Sequence, residues 1–168
     1  MTYTYRKAEL SDIGALVQLR ADFMACFGPA DEKGREALGN YEAFLLEGMG
    51  APHNHPGAAH HPSQEGNCSF AQWLAERDGE IAATGSVSFW RMPPTTHCPS
   101  GKAAYIGNMF TYPAHRSRGL AGEILRLLAD EARAAGCHAL FLHASDQGRP
   151  LYEGYGFAAS ESMMEYKF

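Results

Sequence analysis

The chain has 168 residues, 45% of them hydrophobic and 20% charged, with a formal net charge of -5. That length suits a single domain over 1–168 and leaves little room for a second core, and the ordinary balance excludes a wholly disordered chain. A negative net charge speaks against a broad nucleic-acid footprint, and no apolar run approaches the ~18 residues of a membrane span. The start, MTYTYRKAELSD, has no apolar segment behind a basic head, so no secretory leader is expected and a cytoplasmic location is. Cys26, Cys68, Cys98 and Cys137 are widely spaced, with no Cys-x-x-Cys pair, which reads as reduced thiols rather than a zinc or disulfide framework.

Thr2 to Ala8 alternates apolar and polar side chains and predicts a first strand. Ser11 or Asp12 offers a helix cap, and Ile13, Leu16, Val17, Met24 and Phe27 follow at helical spacing until Gly28-Pro29 stops them. A second helix falls within Glu32 to Met49, with Leu38, Tyr41, Phe44 and Leu45 as its apolar stripe. Gly50 to Asn67 is a loop rich in Gly, Pro, His and Asn. Phe70 to Arg77 and Glu80 to Trp90 flank Asp78-Gly79, the residue pair of a two-residue hairpin turn.

After a proline-bearing loop over 91–102, Ala103 to Tyr112 reads as a buried strand. Pro113 to Gly119 is a loop, and Leu120 to Ala135 an amphipathic helix ended by Gly136. Ala139 to Ala144 predicts a strand, Arg149 to Tyr155 a short helix, and Ser162 to Phe168 a last strand. A helix between the strands at 103–112 and 139–144 makes that pair parallel, while the hairpin makes the sheet mixed. The fold class is therefore α/β of the α+β type, not doubly wound.

Chemistry concentrates in Asn108-Met109-Phe110-Thr111-Tyr112-Pro113-Ala114-His115-Arg116-Ser117-Arg118-Gly119-Leu120-Ala121-Gly122. A strand, a basic loop and a helix start follow one another. A helix N-terminus presents unpaired N–H groups and the positive end of its dipole, so it attracts anions. Gly119 and Ala121 let a phosphate approach the backbone, and Arg116 and Arg118 add charge. The segment predicts a phosphate or pyrophosphate cradle.

Arg116-x-x-Gly119-x-Ala121 resembles the Gln/Arg-x-x-Gly-x-Gly/Ala pattern of the GNAT acetyltransferase superfamily, and the preceding strand ends in Thr-Tyr-Pro as many members' strands do. Further on, Ser145-Asp146-Gln147-Gly148-Arg149-Pro150-Leu151-Tyr152-Glu153-Gly154-Tyr155-Gly156-Phe157 is similar to that family's closing motif of Asn, Ala, Leu-Tyr-Glu and Gly-Phe. One helix and one strand fit between the two motifs. Ser145 stands where Asn is usual, Gly148 where Ala is common, and Gly154 where a longer side chain is usual.

The resemblance implies a mixed central sheet with a splayed parallel strand pair flanked by helices, and an enzyme that moves an acetyl group from acetyl-CoA to a primary amine by direct attack. It implies that Arg116, Ser117, Arg118, Gly119, Leu120, Ala121 and Gly122 hold the coenzyme A pyrophosphate. Met109, Phe110 and Thr111 would pair with the pantetheine arm like an added strand, and Ser145 would bond the donor. Tyr152 takes the place of the family tyrosine near the sulfur. With an ordinary phenol pKa of ~10 it carries a proton for the leaving thiolate at pH 7, although packing against the pantetheine is the plainer role for the same ring. Backbone N–H at Met109 or Phe110 is a candidate oxyanion donor.

The base is open. Some relatives carry a carboxylate on this strand, but here the positions read Gly107-Asn108-Met109. Asn108 takes no proton, though it could orient a water or the substrate. Glu76, Glu80, Asp146 and His143 are candidates, as is a chain of waters. Trp73 and Trp90 either line the acceptor side or belong to the core.

His53, His55, His60 and His61 crowd the long loop beside Pro52, Pro56 and Pro62. Imidazoles at this density suit a metal, but neither the spacing nor a nearby Cys pair follows a structural zinc pattern, so no metal site is assigned and the loop reads as a lid. Two rival functions stay in view: a non-catalytic acyl-CoA-binding or sensing domain, and a metal-binding protein built on this loop. The acceptor is a small-molecule or peptide amine, with no nucleic acid and no membrane. Many of the family form dimers, which makes a homodimer a candidate state.

Overall fold

The computed structural model describes residues 2–29, 31–49, 70–160, 164 and 166. Strand β1 (Thr4–Lys7) is followed by helices α1 (Ile13–Ala25) and α2 (Glu32–Met49). Strands β2 (Phe70–Arg77), β3 (Glu80–Arg91) and β4 (Lys102–Thr111) come next, then α3 (Leu120–Ala134), β5 (Ala139–Leu142) and α4 (Arg149–Tyr155). The strands form one sheet in chain order, β1-β2-β3-β4-β5. The first three pairings are antiparallel and β4–β5 is parallel. The reason is local at each step. Asp78 (φ 53°) and Gly79 (φ 82°) take the left-handed conformations of a two-residue hairpin turn, while α3 carries the chain back so that β5 starts at the same end as β4.

Two apolar layers sandwich the sheet. On one face Leu120, Ile124, Leu125, Leu128 and Ala132 of α3 pack on Val87, Ala104 and Ile106. On the other, Leu16 and Leu19 of α1 and Tyr41 and Leu45 of α2 cover Phe70, Leu74 and Phe110. Leu16, Leu45, Leu74, Ile124, Leu125 and Leu128 are fully buried, each worth about 1.5–3 kcal/mol relative to an exposed side chain.

Several boundaries differ from the sequence expectation. β1 is confined to Thr4–Lys7, whose register partners on β2 run from Glu76 back to Trp73, with one further bond from the Ala8 N–H to the Gln72 carbonyl at 2.8 Å. α1 ends at Ala25, and Phe27, expected on its apolar stripe, is 70% exposed in the turn beyond. Neither tryptophan reaches the candidate site. Trp73 packs beside the α3 core under the Lys7 ammonium, 5.9 Å from its ring centroid, and Trp90 lies half-exposed, edge-on to Phe141 at 5.8 Å. The histidine-rich stretch and nearly all of the strand expected at 162–168 lie outside the described residues.

One irregularity organises the rest. Thr84 of β3 faces Phe110, yet Ser86 faces Gly107, so Gly85 alone stands opposite Asn108 and Met109. This is a β-bulge on β4, and Asn108 adopts φ 51° to make it. Gly85 is required there: a Cβ would fall 2.5 Å from Met109 Sδ and 2.6 Å from Ile124 Cγ2. The parallel ladder of β4 and β5 closes at Ile106–Leu142, immediately before the bulge. β4 continues to Thr111 paired with β3 but no longer with β5, and a split opens between β4 and β5.

Candidate active site

A cleft of about 750 Å³ occupies that split. One wall is Met109, Phe110 and Thr111 of β4 together with Arg116, Ser117 and Gly119 to Gly122 at the start of α3. Pro113 to His115 forms a single 3-10 turn, and Ser117 (φ 58°) and Gly119 (φ 80°) then swing the chain into α3. The first ladder bond of α3 runs from the Glu123 N–H to the Gly119 carbonyl at 3.1 Å, so the amides before Glu123 lie in the first turn with no helical acceptor. They add to the positive end of the helix dipole. Space around Gly119 is open for a ligand, with nothing within 4 Å of where a Cβ would stand. Arg116 Nε donates to the Thr111 carbonyl at 3.1 Å, which holds its guanidinium beside the loop. Arg118 does not line the cleft, and its Nη2 donates to the Ala114 carbonyl at 3.2 Å.

The facing wall is Ser145 to Gly148 with Leu151 and Tyr152 of α4. Ser145 Oγ accepts the Gly148 N–H at 3.2 Å and tightens the turn into α4. Gly148 sits against the Tyr152 ring. A Cβ there would come within 3.1 Å of Tyr152 Cε2 and 3.3 Å of Ser145 Oγ, so the alanine common in similar motifs would crowd this ring. Tyr152 is buried, edge-on to Phe157 at 6.0 Å. Burial, and then the nearby Tyr105, push its phenol above the ordinary value, so it keeps its proton at neutral pH. Tyr152 and the predicted cradle residues other than Arg118 thus meet at one cleft.

Beneath the bulge runs a polar chain that sequence reasoning did not foresee. Arg20 Nη1 donates to Asn108 Oδ1 (2.6 Å), and Asn108 Nδ2 donates to Tyr41 Oη (3.1 Å). Tyr41 donates to Gln72 Oε1 (3.2 Å), Gln72 Nε2 to Thr84 Oγ1 (2.8 Å), and Thr84 to the Trp73 carbonyl (3.1 Å). The Arg20 guanidinium also lies over the Phe23 and Tyr41 rings at 5.4 and 5.7 Å. Gln72 and Thr84 are buried, and a satisfied chain of this kind fixes one geometry where an unpaired group would be costly. Both ends of the Asn108 amide are occupied within the protein. These two bonds brace the bulge.

The expected base candidates scatter. Glu76 is held by Arg6 at 2.6 Å in a network with Asp12, and Glu80 opens β3 at the hairpin turn; neither lines the cleft. Asp146 is on the wall. His143 follows β5, its Nδ1 2.7 Å from Tyr105 Oη. The wall also includes Phe23 of α1, Cys26 and Phe27 just beyond it, His115 and Gln147, none of them given a site role from the sequence. Only the Gly28-Pro29 stop hinted that α1 would end at a site. Among the described residues Cys26, Cys98 and Cys137 are unpaired thiols, no cluster of three or more His, Cys, Asp or Glu could hold a metal, and no helix is long and apolar enough to cross a membrane.

The sequence profile of the acetyltransferase (GNAT) family matches residues 19–157, from within α1 to just past α4. The chain belongs to the acetyltransferase (GNAT) family. It is accordingly an acyltransferase, and its split sheet is the GNAT fold. A predicted acetyltransferase from Clostridium acetobutylicum, solved with acetyl-CoA, is 31% identical, with a TM-score of 0.78 over 99% of this chain and 96% of that one. A GCN5-related N-acetyltransferase from Ralstonia eutropha JMP134 superposes with a TM-score of 0.80 at 20% identity, covering 99% of each chain, a likeness of fold alone. Among curated proteins, the glucosamine 6-phosphate N-acetyltransferase of Trypanosoma brucei brucei is 32% identical over 81 residues. That match spans 48% of this GNAT chain and about half (54%) of the trypanosomal one.

Proposed function

We propose that this GNAT acyltransferase moves the acetyl group of acetyl-CoA to a primary amine of a small molecule or peptide by direct attack. The observation that carries the reading is the continuity of one cleft from the bare amides before Glu123, along the edge of Met109–Thr111 that β5 no longer covers, to the buried Tyr152. The first part suits a pyrophosphate, the second an amide-bearing arm that pairs like an added strand, and the third a leaving thiolate. The acetyl-CoA found with the Clostridium relative supports the same donor here.

In this reading a free amine attacks the thioester carbon, and backbone N–H groups at Met109 or Phe110 stabilise the oxyanion. Tyr152 protonates the departing sulfur. Holding both reactants in the split supplies much of the acceleration. Ser145 bonds the donor from the facing wall.

Isothermal titration with acetyl-CoA, and with adenosine as the control that lacks the pyrophosphate, tests the donor. Micromolar binding of acetyl-CoA and none of adenosine is expected. Release of free thiol is then followed over a panel of amines that includes an amino-sugar phosphate, the substrate type named for the trypanosomal relative. No binding of acetyl-CoA removes the reading.

A further inference from the structure

The acetyl-transfer reading assigns no group to take the proton of the attacking amine; Asp146 stands on the wall of Ser145 to Gly148, and one pair outside the walls of the cleft lies at the vertex of the split. Tyr105 and His143 join β4 to the end of β5 through a 2.7 Å contact between Tyr105 Oη and His143 Nδ1. His143 follows Leu142, which closes the last rung of the parallel ladder with Ile106. The pair therefore bridges the two strands at the vertex of the split. A donor whose pyrophosphate sits on α3 and whose arm follows β4 back from Thr111 to Met109 brings its acyl end to this vertex.

The faces are distinct. Ala104 and Ile106 belong to the α3 core, so Tyr105 between them projects to the opposite face. Tyr152 lies with the α3 core. The two phenols flank the split from opposite sides, and Tyr105 is near enough to add to the burial that raises the Tyr152 pKa. Gly107 clears the approach. The spot its Cβ would occupy is 3.6 Å from Tyr105 Cε1 and 3.6 Å from Ser86 Oγ, so no side chain screens the Tyr105 ring from the bulge. His143 is exposed to water, and among the described residues its one hydrogen bond is to Tyr105 and it has no ion pair.

On this geometry, and resting on the acetyl-transfer reading, we infer that Tyr105 is the group that takes the proton from the attacking amine and His143 the group to which Tyr105 passes its own. The imidazole tautomer with a bare Nδ1 accepts the Tyr105 hydroxyl. The acceptor reacts as its free base. Its lone pair forms the N–C bond to the thioester carbon. As charge builds on nitrogen, one N–H proton moves to Tyr105 Oη while the hydroxyl proton of Tyr105 moves to His143 Nδ1. The C–S bond then breaks, and the thiolate takes the hydroxyl proton of Tyr152. Water removes the imidazolium proton and Tyr152 is reprotonated, leaving the amide and free thiol as products. The titratable groups at this route and along the cleft are Tyr105 on β4, Tyr152 on α4, His143 itself, and Asp146, His115 and Cys26 of the cleft wall.

The test compares wild type, Tyr105→Phe and His143→Gln, using the panel amine that the wild type acetylates fastest, by thiol release from pH 6 to 10. Acetyl-CoA affinity is measured in parallel by titration calorimetry, and folding by circular dichroism. In each variant kcat at pH 7 should fall by ~10²–10³, with acetyl-CoA affinity unchanged. The wild-type pH profile should give way in each variant to a rate that climbs steadily with the free-amine fraction and nears wild type at high pH. Wild-type kcat and pH profile in both folded variants would overturn the relay while leaving acetyl transfer intact. A wild type that binds acetyl-CoA but acetylates no panel amine would remove the proposed function and the relay together.

Discussion

Arg20 on α1 and Asn108 on β4, 88 residues apart in sequence, are joined by a 2.6 Å hydrogen bond from guanidinium to side-chain carbonyl. The bond ties the first helix to the strand bulge at which the split begins. Asn108 is held in the left-handed region (φ 51°), and its amide is the link between Arg20 and the buried Tyr41–Gln72–Thr84 chain.

Arg20→Ala should leave Asn108 Oδ1 without its donor and loosen the bulge. A loss of about 1–3 kcal/mol in urea unfolding is expected, together with a larger fall in kcat than in acetyl-CoA affinity. Unchanged stability and turnover would mean that the bulge holds itself.

Gly119→Glu should abolish acetyl-CoA binding, because it sets a carboxylate among the bare amides of α3. Gly119→Ala is the control. Alanine at φ 80° costs roughly 1–2 kcal/mol of backbone strain but adds no charge in an otherwise open space. Calorimetric titration of both should show loss for Glu and retention, within about tenfold, for Ala. Equal affinities would show that the phosphates bind elsewhere.

Tyr152→Phe keeps the buried ring and its edge-on contact with Phe157 while removing the proton. The expected outcome is a kcat lowered by about 10²-fold with acetyl-CoA affinity nearly intact. Full turnover in this variant would confine Tyr152 to packing.

Alkaline pH should weaken the fold through Tyr112. Burial, then its 2.7 Å hydrogen bond to Asp22 and that carboxylate's charge, push this phenol up to about 12. A phenol whose pKa is higher folded than unfolded favours the fold while neutral. Its contribution is whole below the ordinary ~10 and is lost as pH rises toward about 12. Melting temperatures measured from pH 8 to 12 should fall across this window, and less steeply in Tyr112→Phe. Equal slopes would exclude Tyr112 as the source.

Much of the candidate site was legible in the sequence because its chemistry is local. A strand, a short basic loop with Gly119, and an amphipathic helix must place unpaired amides at that helix start, whatever surrounds them. Leu-Tyr-Glu and Gly-Phe one helix and one strand later put Tyr152 across from it. The hairpin at Asp78-Gly79 and the parallel crossover of α3 follow equally from neighbouring residues. Only the three-dimensional fold decided which distant residues meet. The run Ala103 to Tyr112 reads as a continuous strand, and its bulge at Asn108 is disclosed by the register with β3, where Gly85 yields room to Met109. Tyr105 and His143 are 38 residues apart, and Arg20 and Asn108 are 88 apart. No periodicity encodes such pairs, because they depend on strand order, on where a ladder stops, and on which face of the sheet each side chain leaves.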